Sequence, residues 1–206
     1  MNAEKIKEQI FKLNYIRTLP VYWCVLASQQ RNLIERDLER WMKQDGRTEK
    51  RMFSALNWFL SEKKEFRNLL QHRLKNPSRT GKAWLHFFVA RMLWPPLDSL
   101  YLNTQEIGAG LYIQHGFSTI VSAKSIGENC WINQQVTIGY NGENCPVLED
   151  NVTVCCGAKV IGGITVADNV KIGAGAVVVR DVPENAVVGG VPATVIKMRD
   201  KSMLPQ

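Results

Sequence analysis

A period of six residues dominates the second half of the chain. Aliphatic side chains recur at every sixth position, and a small or aliphatic residue follows four positions after each of them. An α-helix repeats every 3.6 residues and cannot produce this spacing. The first set is Leu148, Val154, Val160, Val166, Ile172 and Val178, and the second is Val152, Ala158, Ile164, Val170, Ala176 and Val182; the same step links Ile126, Ile132 and Ile138, and Ile107 with Ile113.

This period predicts a parallel β-helix. The second apolar residue of one repeat and the first of the next are two positions apart, so both point to the same face of a short strand. Small and polar residues fill the positions between, where the chain turns a corner. Three strands close a triangular coil of about 18 residues, and coils stack with parallel pairing. We predict an α-helical domain in residues 1–104, a parallel β-helix in residues 105–191 and a C-terminal tail in residues 192–206.

The period is interrupted twice. Ile107 and Ile126 are 19 residues apart rather than 18, and Ile138 and Leu148 are ten apart rather than six. The second interruption places about four extra residues in a loop at positions 140–146. A strict repeat that extrudes a loop usually does so at a binding site.

The first half has a helical pattern. Apolar and charged residues alternate at helical spacing in Arg31–Lys43, Phe53–Leu74 and Ala83–Leu93, with breaks at 76–78 and 94–96. The apolar run Leu19–Ala27 is too short to cross a bilayer, so we expect a packed helix and no integral membrane segment. The aromatic residues of this half are expected in its core: Trp41, Phe53, Trp58, Phe59, Phe66, Trp84, Phe87 and Phe88.

Charge is unevenly distributed between the halves. Residues 1–104 hold 19 Lys/Arg against 10 Asp/Glu, a net +9, and residues 105–206 hold 7 against 9, a net −2. A basic half could bind nucleic acid or acidic lipid. The mixed charge pattern favours solvated helix surfaces instead, so we expect no nucleic-acid partner.

The five cysteines predict a reducing compartment. Their number is odd, Cys155 and Cys156 are adjacent, and no spacing suggests a disulfide framework. We therefore expect free thiols and a cytoplasmic location.

His115 is the candidate catalytic residue. It lies two positions after Ile113, at a coil corner that points outward. An imidazole there suits general-base chemistry at neutral pH and could meet a neighbouring subunit. His72 and His86 lie in the helical half, and a zinc enzyme on this fold would need three histidine ligands in the repeat, so we expect no metal.

Several segments together resemble the serine acetyltransferase branch of the hexapeptide-repeat acyltransferases. They are Ile107–Gly116 (IGAGLYIQHG), Ile126–Asn129 (IGEN), Gln135–Gly139 (QVTIG), Ile172–Val177 (IGAGAV) and Gly190–Ala193 (GVPA), preceded by Lys64–Arg73. The resemblance implies a left-handed β-helix and direct acetyl transfer from acetyl-CoA to a hydroxyl. It also implies a homotrimer, or a dimer of trimers, with the active site between subunits.

The resemblance also implies residue roles. His115 would be the general base, and the backbone N–H of Tyr140, after Gly139, would stabilise the oxyanion. Acetyl-CoA would lie along Gly139, Cys156 and Ala174, with its nucleotide end near Val179, Arg180 and Thr194.

The chain departs from the serine-specific pattern at three places. Gln114 replaces an Asp before the base, residues 100–103 lack the Asp that orients it, and Cys145-Pro146-Val147 replaces His-Pro-Lys in the loop. Gln114 and Cys145 are expected to line the acceptor site. These changes favour a sugar or glycan hydroxyl as the acceptor. Serine O-acetyltransferase activity in cysteine biosynthesis and a catalytically silent trimeric scaffold are the alternatives.

Overall fold

The computed structural model describes residues 3–75 and 81–200, with the side chains of residues 3–12 and 81–83 left aside. The chain divides into two compact units, Met1–Leu97 and Asp98–Gln206. The predicted break at residues 76–78 lies outside the described residues. No described helix has the length and apolar character needed to cross a membrane.

The first unit is helical, as predicted. Its helices are α1 (Ala3–Leu26), α2 (Arg31–Gln44), α3 (Met52–Glu62), α4 (Lys64–Leu74) and α5 (Gly81–Leu93). The apolar run at Leu19–Ala27 forms the end of α1 and the residue after it. The segment Phe53–Leu74 contains two helices rather than one, because Lys63 has an extended backbone with φ −120° and ψ 98°.

An aromatic cluster and a buried ion pair form the centre of this unit. Trp41, Phe59 and Phe66 are buried, and the indole meets the two phenyl rings edge-on at 5.9 and 5.2 Å. The Arg73 guanidinium donates two hydrogen bonds to the buried Asp37 carboxylate, at 2.9 and 3.2 Å. Because Asp37 lies on α2 and Arg73 on α4, the pair fixes the two helices to each other.

The expectation that all eight aromatics of the helical half lie in the core was wrong for two of them. Trp84 and Phe88 on α5 are exposed. Met92 on the same helix is exposed as well, whereas Ala90 is buried. Helix α5 is apolar around most of its circumference, so its pattern does not reveal which face packs inward.

The second unit is a parallel β-helix, which confirms the predicted fold class. Each coil contributes one strand to each of three sheets, with orders β1-β4-β7-β10-β13, β2-β5-β8-β11 and β3-β6-β9-β12-β14-β15. The strands are β1 (Leu100–Leu102), β2 (Glu106–Ile107), β3 (Tyr112–Ile113), β4 (Thr119–Val121), β5 (Ser125–Ile126), β6 (Trp131–Ile132), β7 (Thr137–Gly139), β8 (Val147–Leu148), β9 (Thr153–Val154), β10 (Lys159–Ile161), β11 (Thr165–Val166), β12 (Lys171–Ile172), β13 (Val177–Val178), β14 (Ala186–Gly190) and β15 (Ala193–Met198).

The six-residue period fixes the register of the coils. Its aliphatic side chains point inward and are buried, from Ile107 to Val182. Val154 pairs with Ile172, 18 residues away. Ile132 pairs with Val154, 22 residues away, because the loop at 140–146 lies between them. Ile113 pairs with Ile132, 19 residues away, so one further residue sits in the first coil.

Part of the predicted C-terminal tail is a strand. Strand β15 pairs antiparallel with β14 and lies at the outer edge of its sheet. Without it, β14 would present unpaired backbone groups that could recruit another strand. This hairpin therefore closes one edge of the stack.

Candidate active site

The strand register brings five residues of successive coils into one column. Ile113, Ile132, Val154, Ile172 and Val188 are stacked partners. Two positions after each of them the chain turns, at a place that we call the first corner. The first corner thus carries, in order, His115, Gln134, Cys156, Ala174 and Gly190.

His115 lies at the first corner and is exposed, as predicted. Its backbone is left-handed, with φ +53°, and its carbonyl accepts a hydrogen bond from the Phe117 N–H at 2.7 Å. The turn holds five residues, 114–118, where the next coil has four, 133–136. The extra residue gives this turn a second left-handed position, at Ser118. Left-handed backbone at a residue other than glycine is strained and often marks a functional site.

Gln114 is held by a side chain of the next coil. The Asn133 side-chain amide donates to the Gln114 side-chain oxygen at 2.9 Å. Within the described residues, no carboxylate forms an ion pair or hydrogen bond with His115, and Asp98 and Glu106 are both exposed without contacting it. The imidazole therefore has a neutral amide beside it in the sequence and no acidic partner in its own chain. Asn133 was missed in the sequence, although the 19-residue offset places it opposite Gln114.

The predicted cofactor positions Cys156 and Ala174 follow His115 in the column. The Cys156 carbonyl accepts a hydrogen bond from the Gly175 N–H at 2.9 Å, so this peptide group already has a partner in the stack. Gly175 has φ +67° and open space where a Cβ would lie. Thr194 pairs with Gly189 across the final hairpin, next to Gly190 of the same column.

The adjacent Cys155 does not resemble a nucleophile. Burial raises the pKa of its thiol, an effect that Lys171 partly opposes. A neutral thiol at physiological pH is a poor nucleophile. The first corner thus offers an imidazole base and exposed backbone rather than a reactive cysteine.

The remaining predicted residues lie at a different corner. Gly139 pairs with Ile161, and Lys159 with Val177, so Gly139 and Val179 share one column and Tyr140 and Arg180 share the next. We call this turn, after β7, β10 and β13, the second corner. Val179 and Arg180 are exposed there, and Gly139 is buried.

The extruded loop at 140–146 is an ordered hairpin on the second corner. Asn141 and Asn144 exchange backbone hydrogen bonds at 2.9 and 3.3 Å. The next coil makes room for it, because a Cβ on Gly163 would come within 2.8 Å of the Asn144 Cβ. Gly163 is therefore a second residue that sequence analysis missed, and its signal is a glycine pair one coil beyond the loop.

The two predicted loop residues contact each other. A hydrogen bond with the Cys145 thiol, together with the charge of that thiol when ionised, raises the pKa of the Tyr140 phenol. None of the residues that the structure describes accepts a hydrogen bond from the Tyr140 backbone N–H. This N–H is thus available to an external oxygen, which an oxyanion donor must be.

The base and the oxyanion donor do not meet within one chain. The strands β1, β4, β7, β10 and β13 separate the first corner from the second. The five residues from Gln135 to Tyr140 span about 16 Å at roughly 3.3 Å per residue. A site that uses His115 and Tyr140 together therefore needs the second corner of another copy.

Similarity to known proteins is consistent and partial. No protein-family profile matches the chain. Serine acetyltransferase of Synechococcus elongatus is 44% identical over 96 residues, which are 44% of this chain and 39% of that protein. Serine acetyltransferase of Bacillus licheniformis is 39% identical over 103 residues, which are 48% of each. The chain thus spans about two fifths to one half of the length of these curated relatives.

The similarity extends to solved structures. A structure of Neisseria gonorrhoeae serine acetyltransferase in complex with serine superposes with a TM-score of 0.62 at 26% identity, covering 86% of this chain and 73% of that one. Its fold is the left-handed β-helix preceded by helices, as the sequence predicted. The predicted resemblance is therefore confirmed: the chain is similar to the serine acetyltransferases in sequence over about half of its length, and in fold over most of it.

Proposed function

We propose that the chain is an acetyl-CoA-dependent O-acetyltransferase whose acceptor is L-serine. The observation that carries this proposal is the first corner, where an exposed histidine heads a column of backbone along five coils, in a chain similar to serine acetyltransferases. Such a column suits a long, thin cofactor arm. Cys156, Ala174 and Thr194 would lie along it, and Gly139, Val179 and Arg180 would approach from the second corner.

The proposed reaction is direct transfer in one step of nucleophilic attack. The His115 imidazole takes the proton of the acceptor hydroxyl as its oxygen attacks the thioester carbonyl carbon. The Tyr140 N–H stabilises the resulting oxyanion, the C–S bond breaks, and the thiolate of coenzyme A receives the proton from the imidazolium. Because a thioester is already activated, positioning and proton transfer are the main contributions of the protein.

The comparisons do not support the sugar or glycan acceptor that the sequence analysis favoured. The relatives and solved structures described above are serine acetyltransferases. The neutral Gln114 and the loop residue Cys145 then modify a serine site rather than define a glycan site. Without a carboxylate, the imidazolium that forms during attack is less stabilised, which should lower turnover rather than change the acceptor.

We further propose a homotrimer, because the two corners must come from different copies. Closed threefold symmetry presents the same corner of each copy to the other corner of its neighbour. The outward face of the sheet between the corners carries exposed Tyr101, Ile120 and Val179, which suits contact with another copy. Three chains of 23.4 kDa give about 70 kDa.

The direct test is an acceptor screen with acetyl-CoA. Release of free coenzyme A thiol is followed with L-serine, hexoses, amino sugars and nucleotide sugars. We expect L-serine to be acetylated with the highest kcat/KM. A sugar that exceeds L-serine refutes the acceptor, and no turnover with any acceptor supports the silent scaffold instead.

A mixing experiment tests the shared site. His115→Asn removes the base from one copy, and Tyr140→Pro removes the backbone N–H from another. If the site lies between copies, co-refolding the two inactive variants restores activity in about one quarter of the sites. A site within one chain recovers none. Tyr140→Phe, which keeps the N–H, is the matched control and should remain active.

A further inference from the structure

Two helices of the first unit expose large apolar side chains on one face each. On α1 these are Leu13, Ile16, Leu19 and Trp23, and on α5 they are Trp84, Leu85, Phe88 and Met92, with exposed fractions between 49% and 74%. Helices α2, α3 and α4 expose no comparable side chain among the residues that the structure describes. The exposure is therefore concentrated on two of five helices.

These residues form stripes rather than scattered positions. At 100° per residue, positions 84, 85, 88 and 92 lie within about 100° of each other around α5. Positions 13, 16, 19 and 23 lie within about 120° around α1. The two helices pack against each other. We call the two stripes together the apolar face.

The helices that carry the apolar face are also basic. In sequence, α1 and α5 contain six Lys/Arg against two Asp/Glu, a net +4, and residues 1–104 together are +9. Arg91 lies on α5 and is exposed. A second copy on this face would bring like charge against like charge. An anionic surface would instead complement it.

We propose that the apolar face docks on a bilayer surface that contains anionic lipid. Tryptophan, phenylalanine and leucine insert at the boundary between head groups and acyl chains, and nearby Lys and Arg attract anionic head groups. The helices would lie in the plane of the interface without crossing it, consistent with their lengths and apolar content. This inference does not depend on the proposed acetyl transfer.

The test is co-sedimentation of the full-length protein with extruded vesicles at near-physiological salt. One set is phosphatidylcholine alone and the other contains about 30 mol % phosphatidylglycerol. We expect binding to the anionic set and at least tenfold weaker binding to the neutral set. Trp84→Gln/Phe88→Gln should weaken anionic-vesicle binding at least tenfold, because both side chains lose apolar contact with lipid.

A matched pair separates the face from general hydrophobicity. Met92→Gln changes the apolar face, and Met198→Gln makes the same exchange on the final hairpin, where Met198 is 55% exposed against 67% for Met92. Met92→Gln should weaken binding several-fold and Met198→Gln should not. Arg91→Gln should weaken binding to anionic vesicles about fivefold and leave neutral ones unchanged.

Three results would overturn the proposal. The first is equal binding of the parent and Trp84→Gln/Phe88→Gln. The second is no vesicle binding, together with a fall in oligomer mass in that double variant, which would assign the face to a second copy. The third is micromolar binding of duplex DNA or RNA at about 150 mM salt in place of vesicles, which would assign the charge to phosphates of nucleic acid. Because all substituted side chains are exposed, thermal unfolding serves as the folding control.

Discussion

Replacing His115 tests the proposed chemistry, and the local backbone decides which replacement is informative. His115 has φ +53°, a conformation that asparagine tolerates and alanine does not. His115→Asn therefore removes the base while keeping the turn. We expect turnover to fall by about 10²–10⁴, the usual contribution of general-base catalysis.

The stability change should be small for asparagine and measurable for alanine. The side chain of His115 is exposed and makes no hydrogen bond or ion pair with any residue that the structure describes. His115→Asn should therefore unfold within about 0.5 kcal/mol of the parent. His115→Ala should lose about 1 kcal/mol more, because its backbone must stay left-handed.

The assay combines coenzyme A release, isothermal titration with acetyl-CoA and denaturant unfolding. Affinity for acetyl-CoA should be nearly unchanged in both variants. His86→Asn on α5 is the matched control, and its turnover should equal that of the parent. If His115→Asn keeps more than about half of the parent turnover, His115 is not the base and the direct-transfer mechanism is wrong.

Three further outcomes are expected elsewhere in the chain. Asp37→Asn should lower the free energy of unfolding by about 3–5 kcal/mol, because it leaves the Arg73 charge buried without its partner, whereas Asp37→Leu/Arg73→Met should stay much closer to the parent in the same urea titration. Cys145→Ala should lower the pKa of Tyr140, because the contact that raises it is lost; an unchanged tyrosinate absorbance titration would show that the two side chains do not meet. Cys156→Ser should keep most of the turnover, because only its backbone carbonyl is bonded in the stack, and a loss beyond tenfold would assign its thiol a role.

The β-helix was predictable because its determinants are local and repeated. Each inward position is set by its own repeat, and Val154 or Ile172 need no knowledge of distant residues to be assigned to the core. Positions of His115 and the loop followed from the same count. The contact between Asn133 and Gln114 was predictable in principle, since both lie one position after stacked partners.

The helical half was less predictable because its packing depends on partners that the pattern does not name. Helix α5 has apolar residues nearly all round, so Trp84 and Phe88 could not be assigned to the outer face from spacing. The ion pair of Asp37 and Arg73 joins residues 36 positions apart on different helices. Neither residue differs in sequence from a solvated charge.

The two irregularities of the repeat coincide with the two places where chemistry is proposed. In a stack, each strand is fixed by the strands above and below it, so an inserted residue cannot be absorbed within a strand without turning its inward side chains outward. Insertions must therefore accumulate at corners. One extra residue lies in the turn that carries His115, and four lie in the loop that begins at Tyr140. From Leu148 to Val178 the 18-residue offset is unbroken. The regular part of the coil thus serves as a rigid support, and the departures from it locate the proposed base on the first corner and the proposed oxyanion donor on the second.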